Sequence, residues 1–171
     1  MRMDDQSQDA QRKLKEANGR ALDFVDKFMR TLDEDDRLGV VIRTHLAIER
    51  SLTELIRGRF AQPDYFDKLD LNYNRLVTTA RAMELIAEHT YNGLVALGRL
   101  RNKVAHQWDY EITEQDQLDV INTVPAWATT PKPGMEPFSV KHRFKLAMLV
   151  LLHGIVKMQE WLEVADEHKR G

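Results

Sequence analysis

The run Asp35-Asp-Arg-Leu-Gly-Val-Val-Ile-Arg-Thr-His-Leu-Ala-Ile-Glu-Arg-Ser-Leu-Thr-Glu-Leu-Ile-Arg-Gly-Arg59 decides the fold class. Its stripe Leu38, Val41, Ile42, His45, Ile48, Leu52, Leu55, Ile56 repeats at intervals of three and four. A strand alternates every second residue and cannot produce that spacing, so the run predicts an amphipathic helix over 35–59. The acids Asp33-Glu-Asp-Asp36 just ahead of it supply N-cap candidates and first-turn negative charge that suits the positive helix end.

Outward from this helix the same periodicity continues. Toward the N-terminus Leu14, Ala17, Ala21, Leu22, Val25, Phe28 and Met29 describe one face of a helix over 8–29. Toward the C-terminus Pro63 stops the chain, because the residue before a proline is pushed out of the α region, and a turn or short helix carries Tyr65, Phe66 and Leu69. Helices are then expected over 73–88 and 91–108. The short junction Glu88-His-Thr90 makes them antiparallel neighbours. Thr113 with Asp116 reads as a capping box opening a brief helix to Ile121. Residues 125–137 hold four of the five prolines and Gly134, and read as an irregular loop. A last helix over 139–167 presents a wide apolar face from Phe144 to Ala165. The expectation is one all-α domain over 1–171, an up-and-down bundle of four long helices with one or two short ones, its ends frayed over 1–8 and 168–171.

Composition bounds the function. The 171 residues suit one domain; 43% hydrophobic and 30% charged residues suit a folded globule. No apolar run reaches the roughly 18 residues of a membrane span, and the first residues lack the apolar core of a signal peptide. The absence of Cys fits a reducing compartment, so the expected location is the cytoplasm, away from membranes. A net charge of −2 argues against a strongly basic, sequence-indifferent nucleic-acid binder. The six His form no metal-ligand word such as His-Glu-x-x-His, and there is no Gly-rich phosphate loop, so neither a metal nor a cofactor is expected.

Polar residues on apolar faces are the informative exceptions. His45 and Glu49 stand one turn apart on the strip 42, 45, 49, 52, 56. Either His45 is a satisfied boundary histidine with Glu49 beside it, or Glu49 orients a charged group on a neighbouring helix. Arg101 falls between Leu97 and Val104 and needs an anion or carbonyls there. Asn102 and His106 share the adjacent strip. Together these three present a permanent cation, an amide and a titratable imidazole on one side of a helix, a set suited to phosphoryl transfer. An internal salt bridge or a solvated edge would use the same residues. Lys141-His-Arg-Phe-Lys145, with Arg99 and Lys103, forms either a basic rim for RNA, contacted through Arg99, Lys103, Lys141 and Arg143, or a solvated helix end. Trp127 and Trp161 are expected to pack rather than to bind ligands, and the last helix offers a face for a dimer contact.

The segment Leu100-Arg-Asn-Lys-Val-Ala-His106 resembles the signature of the HEPN superfamily, and its form is similar to that in mannitol-operon-repressor-like proteins; the resemblance spans roughly residues 38–108. It implies a helical bundle that forms a homodimer, with two motifs facing across a cleft, and in active members a metal-independent endoribonuclease. By the resemblance Arg101 would hold the scissile phosphate, His106 would assist attack by the ribose 2′-hydroxyl, Asn102 would orient both, and Glu49 would match the acid of the earlier helix. Toxin members paired with a nucleotidyltransferase antitoxin often carry tyrosine two residues past the histidine, where this chain has Trp108, with Tyr110 at four. The repressor-like branch implies instead a regulatory or protein-interaction module. No recognition helix with a basic N-terminal face is evident, so direct DNA binding is not expected.

Overall fold

A computed structural model describes the backbone of residues 3–32 and 36–170 and the side chains of 8–32 and 36–167. Among these residues there are eight helices and no strand: α1 (Met3–Met29), α2 (Arg37–Arg57), α3 (Pro63–Phe66), α4 (Tyr73–Ala82), α5 (Glu88–His106), α6 (Glu114–Ile121), α7 (Ala126–Thr129) and α8 (Val140–Arg170), with a 3-10 turn Asp67–Leu69 after α3. The fold is all-α, and none of these helices is long and apolar enough to cross a membrane.

α8 is the axis of the molecule. It packs along α1 and α2 and also meets α5, α6 and α7. Phe144, Ala147, Met148, Leu151, Leu152 and Ile155 bury against these neighbours, because a helix surrounded on several sides needs an apolar band wider than one stripe. α1 is tied to it by the Arg20–Glu160 ion pair at 2.6 Å and by the Trp161 indole N–H, which donates to Asn18 at 3.0 Å. Arg59, just past α2, pairs with Asp166 on α8.

α2 starts where Asp36 accepts from the Gly39 N–H at 2.7 Å; the other three acids of the expected cap, 33–35, lie outside the described residues. Its buried face runs through Val40, Val41, Thr44, His45, Ile48, Leu52 and Ile56, whereas Leu38 is exposed and Ile42 half-buried. The face is turned from the expected stripe because α2 lies between α8 on one side and α4 and α5 on the other.

Three boundaries differ from the sequence reading. α4 ends at Ala82, not at 88. Glu84 takes a left-handed conformation (φ 57°), its N–H donates to the Arg81 carbonyl, and the Leu85 N–H donates to Ala80, so a Schellman motif closes the helix. Leu85 and Ile86, expected on a helical face, are buried from the connection instead, and 88–90, expected as a junction, is the first turn of α5. At its other end α5 stops at His106, so Trp108 leaves the helical strip and is 96% exposed. The proline-rich stretch contains the turn α7, and Trp127 on it is 80% exposed rather than packed. The outer bounds of α1 and α8 are Met3 and Arg170. The capping box of α6 forms as expected, with Thr113 and Asp116 each accepting from the other's N–H.

Candidate functional site

α5 brings the motif residues to a place where three helices meet. Leu94, Leu97 and Leu100 bury its core side, and Gly98 allows the start of α4 to press against it. A Cβ on Gly98 would stand 2.9 Å from Cε1 of Tyr73. Tyr73 is placed by Asn72, whose side chain caps α4 by accepting from the Arg75 N–H at 3.1 Å. From there the Tyr73 hydroxyl donates to the Leu94 carbonyl at 3.0 Å, and its ring stacks on His45 of α2 with centroids 4.1 Å apart. Burial, reinforced by the negative charge of Glu49, pushes the Tyr73 phenol up and keeps it neutral.

Between these elements lies a polar recess of about 290 Å³. α2 contributes His45 and Glu49, the start of α4 contributes Asn72, Tyr73 and Asn74, and α5 contributes Gly98, Arg101 and Asn102. His45 is only 4% exposed; burial and then the positive charge of Arg101 push its pKa down to about 4, so the ring is neutral at physiological pH. The Glu49 carboxylate lies 3.8 Å from Nδ1 of that neutral ring. The Arg101 guanidinium donates to the Asn102 side-chain oxygen at 3.3 Å and has no carboxylate partner among the described residues. The recess therefore holds one cation, one anion and several neutral amides.

Of the residues expected in the site, Glu49, Arg101 and Asn102 come together. His106 does not join them: it is exposed and lies outside the lining. Five residues along a helix turn the side chain about 140° away, and Asn102 is the position that shares its strip with His106. The basic residues are also dispersed. Arg99 and Lys103 line a different groove, of about 450 Å³, between α5 and α6, where Lys103 is paired at 2.7 Å with Asp116. Asp116 is 5% exposed; although burial opposes its charge, hydrogen bonds from Lys103, Thr113 and Tyr110 hold the carboxyl well below the usual carboxylate range. Lys141 lines a third depression with Arg37 and Tyr110, and Arg143 is half-buried in the first turn of α8. No group of three His, Asp or Glu side chains suited to a metal ion occurs among the described residues.

Sequence reasoning missed Tyr73, Asn72, Asn74 and Gly98. Two signals point to them in retrospect: an asparagine just ahead of a helical run is an N-cap signature, and a glycine inside a helix usually marks a close approach. Comparisons with protein-family models, curated proteins and solved structures find no match for this chain.

Proposed function

We propose that the chain is a HEPN-like, metal-independent endoribonuclease that works as a cytoplasmic homodimer. The observation that carries this reading is Arg101: a guanidinium without an acidic partner, opening beside Asn102 and Glu49 into a preformed polar recess. A planar fork of this kind binds a phosphodiester through two parallel hydrogen bonds. RNA brings its own nucleophile, so little else is required. The 2′-oxygen bonds to phosphorus as the bond to the 5′-oxygen breaks, the hydroxyl proton passes to a base, and the departing oxygen takes up a proton. His106, exposed one turn beyond Asn102 and outside the lining of the recess, is the group assigned to move these protons in the homodimer.

A second reading is favoured by Trp108. Two residues past His106, it stands 96% in solvent, and an exposed tryptophan suits a regulatory module that docks a protein partner through this end of α5. Incubating RNA with the protein in chelator separates the two. The nuclease reading expects fragments ending in cyclic phosphate, lost in His106→Ala and in Arg101→Ala; cleavage that both variants retain, or none by the wild type, leaves the interaction module.

A further inference from the structure

Two opposite charges line the recess without meeting. Glu49 reaches it from α2 and Arg101 from α5, yet they form no ion pair. The ring 3.8 Å from Glu49 is neutral, and the group bonded to Arg101 is a neutral amide. Flexible side chains of opposite charge close on one another when nothing holds them apart. Here the stacked His45–Tyr73 pair and the Tyr73–Leu94 hydrogen bond fix the spacing of α2, α4 and α5, so a gap of about 290 Å³ persists, near the small end of ligand sites.

An occupant must satisfy both charges. A free anion is attracted to Arg101 and repelled by Glu49; a free cation has the reverse problem. A nucleotide joins an anionic phosphate to an uncharged base edge that carries N–H donors, and so meets both demands. The four bases differ in what they offer a carboxylate. Guanine presents two adjacent N–H donors, which match two carboxylate oxygens, together with acceptors for amide donors such as Asn74 and Asn102. Adenine and cytosine each set a ring-nitrogen lone pair beside their amino group, and uracil flanks its single N–H with two carbonyls. One carboxylate oxygen would then face a lone pair at close range.

Resting on the ribonuclease reading above, we infer that the recess between α2, α4 and α5 is a guanine-selecting subsite, in which Glu49 accepts from the base edge while Arg101 holds the attached phosphate. Substrate choice then lies with an acid on α2, on a different helix from the arginine that holds the phosphate.

The test is calorimetric titration of the full chain with 3′-GMP, 3′-AMP, 3′-CMP and 3′-UMP, with glycine as a zwitterion and inorganic phosphate as a bare anion. The expected result is 3′-GMP bound about tenfold or more tighter than the other nucleotides. Glu49→Gln, nearly isosteric, should bring 3′-GMP down to their level, and the distant Trp127→Ser should leave the preference unchanged. Thermal melting confirms that Glu49→Gln is folded, and Glu49→Ala serves if it is not. Equal affinity for the four nucleotides, a guanine preference that survives loss of the carboxylate, or tighter binding of glycine would each overturn the inference. Guanine-selective binding without RNA cleavage would uphold this subsite and remove the nuclease. Cleavage without base preference would do the opposite.

Discussion

The His45 imidazole stacks on Tyr73 with ring planes 29° apart, and this contact joins the middle of α2 to the first residue of α4. Burial at this contact and the positive charge of Arg101 favour the neutral ring. Because the folded-state pKa of His45 lies near 4, below its ordinary 6.5, the unfolded chain takes up this proton first as the solution is acidified. His45 therefore contributes its full stability above pH 6.5 and loses it as pH falls toward 4, on the order of 3 kcal/mol in total. Urea unfolding across that range should show the decline, and His45→Phe, which keeps an aromatic against Tyr73, should flatten it.

Gly98→Ala tests the close approach of α4 to α5. Alanine is the better helix former by about 1 kcal/mol, but its methyl group would meet a Tyr73 ring held by both a stack and a hydrogen bond. The variant should be destabilised by about 1–3 kcal/mol in denaturant titration. Unchanged or raised stability would mean that Tyr73 yields easily and does not fix the recess.

Asp116→Ala removes the acceptor for the Lys103 ammonium, the Tyr110 hydroxyl and both donors of Thr113. A loss of about 2–4 kcal/mol is expected, combining the α6 cap with charged hydrogen bonds. The wild-type carboxyl is held below its ordinary 3.8, so its contribution is present above that pH and fades below it, beyond the window of His45.

Glu84→Gly should stabilise the chain by about 0.5–1 kcal/mol, since glycine occupies φ 57° without the Cβ clash that glutamate carries. A fall in melting temperature would show that the exposed Glu84 side chain contributes more than its backbone strain.

Trp108→Ser and Trp127→Ser should each change folding stability by less than about 0.5 kcal/mol, because side chains 96% and 80% in solvent have little packing to lose. Acrylamide should quench both indoles strongly. Protection of Trp108 as protein concentration rises would place it in an interface between copies.

The long helices were legible from sequence because their buried residues recur at three and four whatever neighbours cover them. α1, α2, α5, α8 and the capped α6 follow the three-and-four spacing or the Thr113–Asp116 signature. The reading failed where apolar residues were buried by something other than a helix. Leu85 and Ile86 continue the periodicity of α4 although the helix has ended, because buried loop residues and buried helix residues are equally apolar, and a glutamate, not a glycine, took the left-handed position. Trp108 likewise extends a helical pattern into solvent.

Spacing along single helices, by itself, determined that this chain is all-α, that His45, Glu49 and Arg101 stand out from apolar strips, and that Asn102 and His106 share the strip beside Arg101. These properties belong to 3.6 residues per turn and to the cost of burying polar groups, and they need no partner element to be true. Which of those residues share a recess was decided only by the tertiary structure. The distance from Glu49 to Arg101, the displacement of His106, and the pairing of Lys103 with Asp116 depend on how α2, α4, α5 and α6 cross. That crossing is set by side-chain volumes such as the missing Cβ of Gly98 beneath Tyr73, a contact between positions 25 residues apart that no local pattern encodes.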